Sequence, residues 1–390
     1  LIYLDHNAST PLASEVCLKL QEILQTPLGN PSSLHQLGQN SATLLYQARC
    51  QVAQAIEASP SEILFTSSGT ESNLSVLRGA LHHSSKKHLI LSAGEHPSLL
   101  KGASQLEKEG YSVSLLPLTP EGGLDLKTFR ESLQENTGLV SVMLANNETG
   151  VLFPLPEILQ ECQRLKILVH TDAVQALGKI PLSIRKLPVD FLSASSHKIY
   201  GPSGSGFLYV RKGLILEPLI PGYQENKRRG GTENILGMIG LGVACTLLPQ
   251  QIAQQETLKI LRDSLEEKLL SSPLPLQIHG RSQPRIGNTS YFSIPGLESA
   301  ELLLRLDRQK IYCSSGSACS SGKVQYSHVL NAMKRPEKEL RGSLRLSLGK
   351  ETQKQEIEQT AEILIQEALQ LLKRRSRPQN KPLLLPRKQK

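Results

Sequence analysis

The stretch SASSHKIYGPSGSG, residues 193–206, sets the reading of the whole chain. It continues an apolar run, Phe191–Ala194, that is predicted as a strand, and it places Lys198 beside His197 among serines and glycines. A lysine just past a strand is ordinarily a solvated charge. In an α/β sheet, however, ligands bind outside the carboxyl ends of the strands. A partly desolvated lysine amine there can form a Schiff base with a carbonyl.

The flanking pattern makes this an α/β sheet. Further strands are predicted at Glu62–Thr66, His88–Ser92, Ser112–Pro117, Leu139–Leu144, Ile167–Thr171 and Gly206–Val210. Helical periodicity falls between several of them, at Ser41–Ala58, Glu71–His82, Pro97–Glu109, Leu126–Gln134 and Leu155–Leu165. That alternation implies crossover connections and a mainly parallel sheet covered by helices. A long amphipathic helix over Asn234–Leu270 then leads into a smaller α+β unit. Its strands are predicted near Leu276–His279, Asn288–Ile294 and Ser343–Ser347, and its helices near Ser299–Gln309 and Thr352–Lys373. The expected organisation is a large domain over 1–245 and a small one over 246–372, with a ligand cleft between them. The first ~12 residues are expected to pack on the small domain, in a chain of this size divided in the usual way.

Composition narrows the class. The 390 residues are 39% apolar and 20% charged, ordinary for a globular protein. No apolar run reaches the ~18 residues of a membrane span, and LIYLDHNASTP has neither the basic nor the apolar region of a secretory signal. Six cysteines (Cys17, Cys50, Cys162, Cys245, Cys313 and Cys319) are scattered without a C-x-x-C pair. That argues against a zinc site or a disulfide framework and for a reducing compartment, the cytoplasm. The net charge of +9 is concentrated at one end: Lys373–Lys390 holds eight Lys/Arg and no acid. That tail reads as a solvated, disordered terminus, with an acidic partner such as RNA as the alternative.

Two more segments add chemistry. HTDAVQALGK (170–179) ends a strand with Asp172, and Gln175 follows three residues later. Alone, Asp172 suits a helix N-cap. Paired with a Schiff-base lysine, it suits pyridoxal phosphate, whose pyridine nitrogen needs an acid to stay protonated. FTSSGTESN (65–73) is a strand, a small-residue turn and a helix start, where Ser68, Gly69 and Thr70 could seat a phosphate or merely cap the helix. The P-loop and dinucleotide signatures are absent. Together the three pieces specify one cofactor better than any does singly.

With these motifs in this order, the sequence resembles the cysteine desulfurases, pyridoxal-phosphate enzymes of the class V aminotransferase group with the fold type I architecture. The resemblance runs from YLDHNASTP (3–11) to RGSLRLSLG (341–349) and includes GNPSSLHQLG, NNETG, RRGGTEN and SSGSAC. It implies that Lys198 holds the cofactor as a Schiff base and later moves protons at the substrate carbons. His96 would stack on the ring and act in proton transfer, Asp172 would pair with the pyridine nitrogen, and Gln175 would approach the ring hydroxyl. Gly69, Thr70, Ser195 and His197 would hold the phosphate. Thr232 would reach the phosphate of a neighbouring subunit, implying a homodimer. Asn147 and Arg345 would orient the substrate, the guanidinium forking onto its carboxylate.

The resemblance further implies that Cys319, in the Ser/Gly-rich loop 313–322, takes sulfur from L-cysteine as a persulfide, leaving L-alanine. A loop of that composition can swing between cleft and acceptor, for example an iron–sulfur scaffold protein. Cys313, beside the apolar Ile311–Tyr312 pair, reads as structural. The sequence departs from the family's usual pattern at Ser68–Gly69, at Ser203 and before Ser327–His328, none of which removes a catalytic group. The alternatives are a selenocysteine lyase on the same scaffold, an ordinary class V aminotransferase and a non-catalytic sulfur-relay scaffold.

Overall fold

Twelve strands, in chain order, carry the architecture of a computed structural model that describes residues 1–315 and 326–375. They are β1 (Ile2–Tyr3), β2 (Ile63–Thr66), β3 (His88–Ser92), β4 (Ser112–Leu116), β5 (Thr137–Ser141), β6 (Leu168–Asp172), β7 (Phe191–Ser195), β8 (Gly206–Val210), β9 (Gln277–Ile278), β10 (Thr289–Ser293), β11 (Ile311–Tyr312) and β12 (Ser343–Ser347). Seven of them form one sheet in the order β2-β8-β7-β6-β5-β3-β4. All its strands run parallel except β8, which is antiparallel to both neighbours. β2, β3, β5, β7 and β8 are buried throughout and β6 everywhere but Leu168, as strands covered on both faces must be. The carboxyl ends of β2, β3, β5, β6 and β7 therefore share one edge.

The predicted strands lie within a few residues of the observed ones. β5 stops at Ser141 rather than Leu144, yet Val142 and Leu144 still donate to the carbonyls of His170 and Asp172. The pairing continues while the chain bends toward the site.

The single helix predicted over Asn234–Leu270 is instead three, Ile235–Thr246, Leu248–Ala253 and Gln255–Leu270. Pro249 supplies no amide and restricts the residue before it, so the first helix cannot run through. That first helix is not amphipathic either. It is buried nearly all round, and at Gly242 an added Cβ would lie 2.8 Å from Cα of Ala48 in the helix Gln36–Ala55. Glycine lets the two backbones approach. The helix Ser14–Leu24 was not predicted; its exposed apolar residues Leu18 and Leu24 blur the periodicity.

A second apolar cluster is built from β10, β12 and the helices Gln255–Leu270, Ser299–Arg308 and Lys354–Arg375. β12-β10-β9 form an antiparallel sheet there. The first residues join it: β1 pairs in parallel with β11, and Ile2 and Leu4 are buried in that cluster. Among the described residues, no single helix is long and apolar enough to cross a membrane.

Candidate active site

The strand ends and β12 enclose a cavity of about 700 Å³. Lys198 ends a short turn, Ser196–Lys198, directly after β7. Its amine donates to the carbonyls of Asn7 (2.7 Å) and Ala8 (2.6 Å). Burial, aided by the Arg345 charge, lowers its pKa to about 8, against the opposing pull of Asp5 and Asp172. The amine is thus brought toward its nucleophilic form.

Asp172, the last residue of β6, accepts from Asn73 Nδ2 (2.8 Å) and from its own loop at Val174 N (2.9 Å). Both oxygens are held as acceptors, the arrangement of a carboxylate. His96 caps the helix Pro97–Lys108, with Nδ1 accepting from Ser98 N at 3.2 Å. The neutral ring therefore carries its proton on Nε2. Burial lowers the His96 pKa, opposed by Asp172 and reinforced by Lys198 and His328.

At the cavity's other end, the helix Gly69–Gly79 opens behind Ser68, whose hydroxyl accepts from Glu71 N. The first amides, at Gly69 and Thr70, have no acceptor in a preceding turn, which is the ordinary anion seat at a helix start. A Cβ on Gly69 would come 2.7 Å from Val174 Cγ2, so a larger residue there would need the Val174 side chain to shift. Ser195 and His197 line the same cavity. Burial drives the His197 pKa down to about 4, with Lys198 adding to the effect.

Arg345, buried in β12, donates from Nη2 to Asp5 Oδ1 and from Nη1 to the Asn147 carbonyl, each at 2.9 Å. Its Nε and the Asn147 Oδ1 are buried without a hydrogen-bond partner among the described residues, as is Asn73 Oδ1. Buried polar atoms are normally satisfied. All three belong to residues that line the one cavity, where a polar ligand would have buried polar partners.

Ten of the twelve site residues read from the sequence therefore line this one cavity. Thr232 does not: it is exposed and away from the cavity of its own chain. Cys319 lies outside the described residues, although Ser314 and Tyr326, on either side of 316–325, both line the cavity. Cys313 packs against the second cluster, and burial raises its pKa to about 12.

Sequence reading passed over Asp5, Asn7, Lys179, Glu148 and His328. Asn7 uses every polar group it has. Its amide donates to Ser347 Oγ, its carbonyl accepts from Lys198 and Gln175, and its side chain bonds Lys179, Asn288, Thr289 and the Asn147 carbonyl. Glu148, also buried, accepts from Ser327 and lies 3.8 Å from His328 Nδ1. The only local signal for these residues was their place inside motifs; their partners lie up to 340 positions away.

A mainly parallel sheet with a lysine, a carboxylate and a helix-start anion seat at its strand ends defines an enzyme built to hold pyridoxal phosphate. The chain belongs to the class-V aminotransferase family, whose model matches residues 2–360. Cysteine desulfurase 2 of Trichormus variabilis is 41% identical over 366 residues, covering 93% of this chain and 92% of its own length. Cysteine desulfurase IscS of Dictyoglomus turgidum is 41% identical over 367 residues, 93% of each. Among solved structures, a NifS-like protein superposes with a TM-score of 0.88 at 32% identity, covering 94% of this chain and 98% of its own. A structure of SspA in complex with cysteine superposes at 0.79 with 31% identity, covering 89% and 99%. Pyridoxal phosphate is the cofactor of this family. The residues fit it: an amine for its aldehyde, Asp172 for its ring nitrogen, the Gly69–Thr70 amides for its phosphate and orphaned polar atoms around them.

Proposed function

We propose that this chain is a cysteine desulfurase, which takes the sulfur of L-cysteine onto Cys319 and releases L-alanine. The observation that carries the reading is the convergence of Lys198, Asp172, His96 and Arg345 on one cavity flanked by both ends of the Cys319 segment. Pyridoxal phosphate, when bound, supplies an electron sink for charge developing on the substrate carbons.

The chain's own groups do the rest. Lys198 captures the cofactor and moves protons at the substrate carbons, which its lowered pKa suits. Asp172 holds the ring nitrogen's proton, and Gln175 meets the ring oxygen. Gly69, Thr70, Ser195 and His197 hold the phosphate. Arg345 binds the substrate carboxylate: Asp5 and the Asn147 carbonyl fix the guanidinium, which keeps further N–H donors uncommitted. Asn147 orients the substrate beside it. His96, its pKa lowered chiefly by desolvation, exchanges protons rather than carrying a fixed charge. Cys319 attacks as a thiolate: its S–S bond to the substrate sulfur forms as the C–S bond breaks, and the carbon is protonated to alanine.

Thr232, exposed and not lining the cavity of its own chain, suits a contact with a second copy's phosphate and hence a homodimer. The persulfide then passes to an acceptor protein, such as an iron–sulfur scaffold, in the cytoplasm. The Cys319→Ser variant tests the reading. It should keep the cofactor's visible absorbance yet release no sulfide from L-cysteine; retained turnover would refute the persulfide step.

A further inference from the structure

Lys179 is buried at the back of the site, and no carboxylate pairs with it among the described residues. Its Nζ instead donates to Gln175 Oε1 at 2.5 Å and to Asn7 Oδ1 at 3.0 Å. A buried ammonium without a counterion is costly. A neutral amine is not, because its two N–H groups match these two acceptors. The surroundings favour that form. Burial holds Lys179 well below the ordinary lysine range, and the charges of Lys198 and Arg345 push the same way. His6 and Tyr200 line the same small space, His6 itself lowered to about 4 chiefly by burial.

The two acceptors determine what the cavity meets. With Oε1 held by Lys179, Gln175 must turn its NH2 the other way, and Nε2 donates to the Asn7 carbonyl at 2.9 Å. With Oδ1 held by Lys179 and Asn288, Asn7 must direct its own NH2 to the Asn147 carbonyl and Thr289. The same Asn7 carbonyl receives the Lys198 amine. Gln175, Asn7 and Lys198 all line the cavity.

We propose that Lys179 is a positioning residue: through Gln175 and Asn7 it fixes which edge of each amide faces the site and where the Lys198 amine rests. Its consequence is that Gln175 offers a donor, not an acceptor, to the ring oxygen of the cofactor. Losing that donor leaves the ring oxygen more basic, which raises the pH at which the loaded protein's visible absorbance changes. The inference rests on reading the cavity as the pyridoxal-phosphate site.

The test compares the native protein with Lys179→Met, which keeps the shape and removes the donors, and Lys179→Gln, which restores a neutral donor. Each is loaded with pyridoxal phosphate, and three quantities are read: the rate of cofactor capture by the cofactor-free protein, the pH midpoint of the visible absorbance, and the thermal midpoint. Lys179→Met should capture the cofactor about tenfold more slowly and shift the absorbance midpoint up by about one pH unit, the effect of buried acceptors left without a donor. Lys179→Gln should lie within about threefold of the native rate, because one donor is restored. A folded Lys179→Met with native capture and an unshifted midpoint would overturn the inference and make Lys179 a space filler. If Lys179→Met does not fold, Lys179→Gln decides: a midpoint displaced by about a unit despite the restored donor refutes the role. Failure of the cofactor reading itself looks different, because the native protein would then develop no visible absorbance.

Discussion

Lys198 and Cys313 are both partly buried nucleophiles that follow strand ends, yet desolvation does opposite things to them. At the end of β7 it takes the Lys198 pKa down to about 8, favouring the free amine that attacks carbonyls. At the end of β11 it takes the Cys313 pKa up to about 12, favouring the thiol that attacks nothing. Desolvation always disfavours the charged form. For an amine the reactive form is neutral, and for a thiol it is charged. The same environment therefore activates one residue and silences the other, and a reactive cysteine must be sought elsewhere on the chain.

The largest way to break this contrast is Lys198→Ala. Cofactor capture through a Schiff base should vanish, and turnover of L-cysteine should fall by roughly three orders of magnitude or more, as for loss of a covalent catalyst. An alanine variant that still develops the visible absorbance would contradict the assignment. A smaller effect is the pH dependence of capture by the native, cofactor-free protein. Because the free amine is the attacking form and its pKa is lowered to about 8, the rate should rise about tenfold per unit below that pH and level off above it. An ordinary lysine would go on rising to about 10.4, and stopped-flow absorbance separates the two profiles. The smallest effect belongs to Cys313→Ala. Its side chain is partly buried against the second apolar cluster, so stability should fall by only about 1 kcal/mol. Sulfide release should stay within about twofold of native, since no reacting group is lost.

The fold was legible because buried parallel strands write themselves as short apolar runs, and the helices between them keep a 3.6-residue period. The long helix over Asn234–Leu270 misled because its period continues past Pro249, where the missing amide outweighs it. Ser14–Leu24 was missed because a helix with exposed leucines has no clean polar face. The site was half legible for a related reason. Lys198, Asp172 and Gly69 sit at strand or helix ends, where local pattern points to ligands. Asn7 and Lys179 carry no such signal: each matters through the polar partners the fold brings to it, as when Asn7 meets Ser347 at the end of β12 and Lys179 meets Asn7. Arg345, which alone would read as an ordinary strand residue, was marked only by the family resemblance; its partners Asp5 and Asn147 lie far from it in sequence.

The destination of the sulfur tests the account most directly. After the loaded protein is mixed with L-cysteine, mass spectrometry of the intact chain and of its peptides should show one added sulfur atom on the peptide bearing Cys319, with alanine formed in step. Sulfur found on Cys313, or alanine formed with no sulfur on Cys319, would contradict it.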